Sequence, residues 1–208
     1  MKKIIFITLS FLFFNQFLIN AQEKVSKIKN AQIGITFSSF GENNIFRFDE
    51  LEGAASYNSD YFYAVGINYI IPLNKWLEAE TGIEYARHYI IIEPNLPPNT
   101  DSSPRKENFG LVNIPLSLRA NFLKYFFVNA GLIVGIDGSI DSSIDNQSGI
   151  GTLFGVGMKY DFKSGISVFV NPYGKIHSLL SFNDFQRHQR IWESAVRVGL
   201  TYNLGKNK

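Results

Sequence analysis

The 208-residue chain carries 20 basic and 18 acidic side chains and no cysteine. The missing thiols exclude disulfides, thiolate metal sites, a cysteine nucleophile and lipid attachment at an N-terminal cysteine. A charge balance this even leaves no nucleic-acid footprint, which would need a strongly basic face.

Lys2 and Lys3 precede an apolar run over residues 4–14 that continues loosely to Asn20 and Ala21. A positive start, an apolar middle and a small residue at the cut predict a signal peptide over 1–21, cleaved near Ala21. The rival is a membrane anchor, but Asn15 and Gln16 interrupt the run short of the roughly 20 residues a helix needs to span a bilayer. Cleavage removes two lysines and no acids, so residues 22–208 form one formally neutral domain. No later apolar run approaches that length, so any membrane residence is as a barrel or a surface association.

The rest of the chain alternates with period two. A first strand over 31–39 sets Ile33, Ile35 and Phe37 against Gln32, Gly34, Thr36 and Ser38. The second, 61–71, places Tyr61, Tyr63, Val65, Ile67, Tyr69 and Ile71 opposite Ala64, Gly66 and Asn68. A tight turn over 72–75 leads to the third, 76–91, where Leu77, Ala79, Thr81, Ile83 and Tyr85 oppose Glu78, Glu80 and Glu84. Three glutamates on one face do not fit a dry core but suit a polar barrel interior. The fourth, 109–121, sets Val112, Ile114, Leu116, Leu118 and Ala120 against Asn113, Ser117 and Arg119, and Pro115 within it predicts a bulge or a local loss of pairing.

A short turn at Leu123 and Lys124 precedes the fifth strand, 126–136, with Phe126, Val128, Ala130, Leu132, Val134 and Ile136 opposite Asn129, Gly131 and Gly135. The sixth, 150–162, opposes Phe154, Val156, Met158, Tyr160 and Phe162 to Gly155, Gly157, Lys159 and Asp161. After a turn over 163–165, the seventh sets Ile166, Val168 and Val170 against Ser167, Asn171, Tyr173 and Lys175. The last, ending at Leu204, sets Trp192, Val196, Val198, Leu200, Tyr202 and Leu204 against Glu193, Ala195, Arg197, Gly199 and Thr201. Long polar connections over 40–60, 92–108, 137–149 and 180–190 alternate with the three short turns. The fold class predicted is all-β, an eight-stranded antiparallel up-and-down transmembrane β-barrel, long loops outside and short turns in the periplasm.

A soluble lipocalin-like periplasmic carrier has the same strand count but turns its apolar face inward. Two features favour a membrane barrel. Tyr69, Trp76, Phe122, Tyr125, Phe126, Tyr160, Phe162 and Tyr202 collect beside the short turns as one girdle, with Tyr61, Tyr63, Tyr89 and Trp192 available for the other. Glycine and short polar residues also dominate the charged face, as a narrow lumen requires. Eight strands leave an interior just wide enough for side chains to fill. Glu78, Glu80, Glu84, Asp161 and Glu193 would share it with Arg119, Lys159, Lys175 and Arg197, predicting a plug of ion pairs; for any one of them the alternative is a hydrated place at the rim.

The stretch Asn113, Ile114, Pro115, Leu116 to Leu118, then Ala130, Gly131 and Leu132, Gly155, Val156 and Gly157, and the closing Gly199, Leu200, Thr201 and Tyr202 resemble the outer-membrane β-barrel domain of PorT-like proteins, small barrels of the OmpX/OmpA type, over about residues 30–205. The resemblance implies a Gram-negative outer-membrane barrel and, for a few relatives, assistance to protein secretion. Many such barrels finish on an aromatic residue, whereas Gly205, Lys206, Asn207 and Lys208 follow the last strand here.

Candidate chemistry is sparse. His177 lies beside Ser178 and near Ser181 and Asp184, and His88 shares a strand face with Glu84, but a hydrolase also needs a bonded nucleophile and base with an oxyanion donor. Asp137, Ser139, Asp141 and Asp145 alternate like calcium ligands, yet Ser142 stands where the loop glycine belongs and Ser148 where the closing glutamate belongs. The glycines at 149, 151, 155 and 157 lack dinucleotide spacing and a following helix. The expectation is a monomeric, non-enzymatic barrel without cofactor, in contact with outer-membrane lipid and a secretion or envelope protein. The alternative is an enzyme acting on lipid or peptide at the external rim.

Overall fold

The computed structural model describes residues 30–48, 56–95, 103–139, 143–183 and 189–205; the leader and its cleavage point lie outside them. Eight strands follow in chain order: β1 Gln32–Phe46, β2 Ser56–Pro72, β3 Leu77–Glu93, β4 Arg105–Phe122, β5 Phe126–Asp137, β6 Gly149–Asp161, β7 Ile166–Ser181 and β8 Arg190–Asn203. Each pairs antiparallel with its sequence neighbour, and β1 pairs with β8 to close the ring. The alternation that defines each strand also fixes its register, because a slip of one residue would send every apolar side chain to the wrong face.

The strands are longer than period two alone indicates. β1 runs on through residues expected in the first loop and stays paired with β8 as far as Phe46 opposite Arg190. β2 starts at Ser56, paired with Glu93. Polar side chains can be strand residues here because this part of the wall stands above the apolar band.

The short turns are built by local hydrogen bonds. Asn74 Oδ1 accepts from the backbone N–H groups of Trp76 and Leu77 at 2.9 and 2.8 Å. In the turn after β6, Gly165 adopts φ 86°, open to glycine at no steric cost. Its N–H donates to Phe162 O at 3.2 Å.

Pro115 causes no bulge. It stays in register opposite Ile133 of β5, and its missing donor falls on the β3 side, where the ladder passes from Thr81 opposite Leu116 to Glu84 opposite Asn113. Pro172 uses the same solution, pairing with Val196 of β8 beside a gap in the β6 ladder. Irregularities fall nearer the long-loop end. β1 shifts register between Ser39 and Glu42 around Phe40, at φ 58°, and β7 shifts opposite Ile150 and Thr152 around Ser178, at φ 48°.

The polarity is that of a transmembrane barrel. Ile35, Ile67 and Ile83 form one exposed row across three strands, and Leu116, Leu132, Val156, Val170 and Leu200 continue the apolar exterior. The soluble-carrier arrangement is excluded by this orientation. Tyr69, Trp76, Tyr160, Phe162 and Tyr202 are exposed at the short-turn end. At the other, Tyr61 and Tyr89 stack with centroids 4.1 Å apart. About thirteen residues of β3 separate Trp76 from Tyr89, which at a typical strand rise and tilt is roughly 30 Å across the wall, enough to bracket an apolar band of about 25 Å.

The inward face is more apolar than the sequence pattern indicates. Ala64, Ala86, Ile90, Ile92, Phe109, Leu111, Ile144 and Ile191 form a buried cluster at the long-loop end. Ile144 comes from between β5 and β6, so the described residues 143–148 before β6 fold in over the mouth.

Candidate functional site

The filled lumen is the candidate site, and its order follows β3. Glu78, Glu80, Glu84 and His88 project inward at successively higher levels from the short-turn end. Lowest, Lys159 Nζ of β6 reaches across to Glu78 Oε1 and Oε2 at 3.0 and 3.3 Å.

In the middle, Glu80 holds two guanidiniums. Arg119 Nη2 donates to its Oε2 at 2.8 Å, and Arg197 Nη1 lies 3.3 Å from its Oε1. Asn68 Nδ2 donates to the same carboxylate at 3.1 Å, and Arg197 Nη2 donates to Asn171 Oδ1 at 2.9 Å. The Arg119 guanidinium lies 4.3 Å from the ring centre of Phe127 and 4.9 Å from that of Phe169. Those two rings point inward because each is paired across the strands with a glycine, Phe127 with Gly157 and Phe169 with Gly199. A Cβ on either glycine would collide with the facing ring.

Higher still, Lys175 Nζ is shared between Glu84 Oε1 at 2.5 Å and Glu193 Oε1 at 3.2 Å. Tyr173 donates its hydroxyl to Glu193 Oε1 at 2.6 Å. The second oxygen of Glu193 faces two imidazoles, His177 Nε2 at 3.1 Å and His88 Nε2 at 3.5 Å. His88 is clamped by parallel rings on both sides, Phe62 at 5.5 Å and Phe109 at 5.1 Å. Asn43 Nδ2 contacts its Nδ1 at 3.2 Å, and Asn43 Oδ1 accepts from Ser59.

Eight of the nine charges expected in the lumen are therefore buried there. The ninth, Asp161, is exposed at the turn end of β6 and accepts from Ser167 Oγ at 2.7 Å; β6 leaves the lumen at Lys159, so the last acid falls at the rim. Four acids then face four bases. Burial of unpaired charge costs several kcal/mol per ion, so this matching is a condition for folding.

The chain matches no protein-family model and no curated protein. Solved structures share its fold. Outer membrane protein OprG from Pseudomonas aeruginosa aligns with a TM-score of 0.53 at 10% identity, over 86% of this chain and 98% of that one. AlkL, an outer membrane protein determined in DMPC lipid bilayers, gives 0.46 at 12% identity, over 89% and 96%. The N-terminal β-barrel domain of Pseudomonas aeruginosa OprF gives 0.43 at 15% identity, over 84% and 98%. The fold is that of a small outer-membrane barrel. At such identities the likeness is one of architecture and assigns no activity.

The Ser–His arrangement does not form among the described residues. His177 Nε2 faces Glu193 and its Nδ1 meets no hydrogen-bond partner, while Ser178 Oγ lies 3.4 Å from Ser148 O; Asp184 lies outside the described residues. The calcium-like loop spends its carboxylates on backbone. Asp137 accepts from the N–H of Ser139 and of Gln147, both at 2.9 Å, and Asp145 accepts from the N–H of Gln189 at 2.9 Å; Asp141 lies outside the described residues. Gln189 returns the bond, its Oε1 accepting from Asp145 N at 3.1 Å, and Gln147 Nε2 donates to Gln189 O at 2.9 Å. This staple ties the mouth-covering loop to the start of β8.

Sequence reasoning missed the inward histidines as partners of Glu193. The available signal was parity: His88 shares its face with Glu84, and His177 shares its face with Lys175. Lys175 and Glu193 are then cross-strand partners, so pairing β7 with β8 places His177 one step above Glu193.

Proposed function

We propose that the protein is a monomeric, non-enzymatic outer-membrane β-barrel with a structural or interaction role, exposing its long connections outside the cell and its short turns to the periplasm. One observation carries this reading: an apolar exterior between two aromatic girdles surrounds a lumen packed with paired charges, leaving the loops and turns as the surfaces open to a partner. A lumen so filled supports a scaffold over a wide aqueous pore. The PorT-like resemblance adds an accessory part in protein secretion.

Cell fractionation tests the location. The mature chain is expected in the outer-membrane fraction, to resist extraction without detergent, and to migrate differently on gels before and after boiling. Recovery in the soluble periplasmic fraction would overturn the proposal. Deleting the gene tests the secretion role: secreted protein should fall while other outer-membrane barrels assemble normally, and an unchanged secreted fraction would remove that part.

A further inference from the structure

The proposed scaffold role uses the lumen only as filling, yet one cluster within it is arranged as a ligand set. His88, His177 and Glu193 come from three strands, all are buried, and one donor atom from each lies within 4.8 Å of the others. The geometry points to a divalent-metal site of the zinc type at these three residues, beneath the apolar cover of the outer mouth.

The two separations that involve Glu193 suit the metal, and the two imidazoles need only close on each other within the 4.8 Å that bounds the set. Zinc bonds of about 2.0–2.2 Å to imidazole nitrogen and carboxylate oxygen set tetrahedral ligand separations near 3.3 Å. Glu193 Oε2 stands 3.1 Å from His177 Nε2 and 3.5 Å from His88 Nε2, one value on either side.

A second observation concerns the hydrogen bonding and the packing of His88. His88 Nε2 is buried with no hydrogen-bond partner, although it faces the Glu193 carboxylate. A buried polar atom left unpaired is costly, and a metal at that point would satisfy it. The ring cannot turn away, because Phe62 and Phe109 hold it on both faces.

Charge also favours a cation. Glu84 and Glu193 share the single Lys175, leaving one net negative charge at this level of the lumen when both imidazoles are neutral. Lys175 and Tyr173 engage Oε1 of Glu193, so Oε2 remains for the metal. To ligate through Nε2, His88 must carry its proton on Nδ1, and Asn43 can accept a hydrogen bond from that N–H by turning its amide oxygen toward the ring, its amide nitrogen then donating to Ser59 Oγ. Such supporting bonds orient ligating histidines in metal sites generally. The three protein ligands leave one tetrahedral position for water.

The test uses the full mature chain, folded in detergent and carrying no histidine tag. Zn2+ is added, excess is removed by gel filtration, and bound metal is counted; Co2+ is then used as a spectroscopic probe. One Zn2+ per chain and the intense visible bands of tetrahedral Co2+ are expected. His88→Gln and His177→Gln should each reduce retained zinc to below about a tenth of the wild-type amount, since each removes one of three ligands. His188→Gln alters the only other histidine and should leave binding unchanged. Heat-modifiable mobility shows that each variant is folded, and the Co2+ spectrum of the wild-type chain stands even where a variant fails to fold. Folded wild-type protein that keeps no more zinc than His88→Gln, or that gives only weak octahedral Co2+ bands, would overturn the site while leaving the scaffold proposal intact.

Discussion

Replacing Arg119 with alanine probes the paired lumen most directly. The residue is 1% exposed and its guanidinium is held by Glu80 at 2.8 Å between the rings of Phe127 and Phe169. Removing one partner of a buried ion pair costs about 3–5 kcal/mol, because the other charge stays behind. Glu80 keeps Arg197 at 3.3 Å and Asn68 at 3.1 Å, which places Arg119→Ala at the low end, about 3 kcal/mol, or roughly a hundredfold in the folded-to-unfolded ratio. Glu80→Ala leaves both guanidiniums facing each other and should cost more. The assay is urea unfolding in detergent micelles, followed by tryptophan fluorescence and by heat-modifiable mobility. If Arg119→Ala unfolds within about 0.5 kcal/mol of wild type, the guanidinium is hydrated and the plug contributes no stability.

Ile83 is 62% exposed midway between the girdles, so Ile83→Arg should destabilise the barrel in lipid vesicles by about 2–4 kcal/mol, measured by equilibrium unfolding; a neutral result would mean that this face meets water. Gly199→Ala should cost about 1–3 kcal/mol by overpacking against Phe169, and adding Phe169→Leu should recover part of it in the same assay. Asp145→Ala removes the carboxylate that accepts from the Gln189 backbone N–H, leaving of the reciprocal pair only the backbone bond from residue 145 to Gln189 Oε1; limited proteolysis of whole cells should then cut the loop before β6 faster, with gel mobility unchanged. In planar bilayers the wild-type barrel should show no steady ion conductance, and well-defined open channels would contradict a lumen closed by side chains.

The wall of the barrel was legible because one physical rule governs it. An outward residue meets hydrocarbon, so Ile67 pairs with Ile83 and Leu116 with Leu132 as exposed apolar neighbours, and the turns at Asn74 and Gly165 announce themselves by residue type. Strand ends were less legible. Above the girdle the outward face meets water, and Glu42, Asn43 and Asn44 carry no apolar alternation although they pair with Ser194, Glu193 and Trp192 of β8. Backbone pairing and, for the inward Asn43, hydrogen bonds to Ser59 and His88 hold them in the sheet.

The lumen obeys no single rule, which is why parity gave its membership but not its order. Phe127 and Phe169 read as breaks in a polar face until register sets each against a glycine, and only then does Arg119 acquire two aromatic walls. The charges balance over the whole lumen but not level by level. Glu80 meets Arg119 and Arg197, one positive charge in excess, whereas Lys175 is divided between Glu84 and Glu193, one negative charge in excess. A plug selected only to fill space would pair its charges locally, since separated charge in a low-dielectric interior is costly. The negative surplus lies where two imidazoles converge on the carboxylate of Glu193 under an apolar cover. Stability alone does not require that coincidence, whereas binding a cation does.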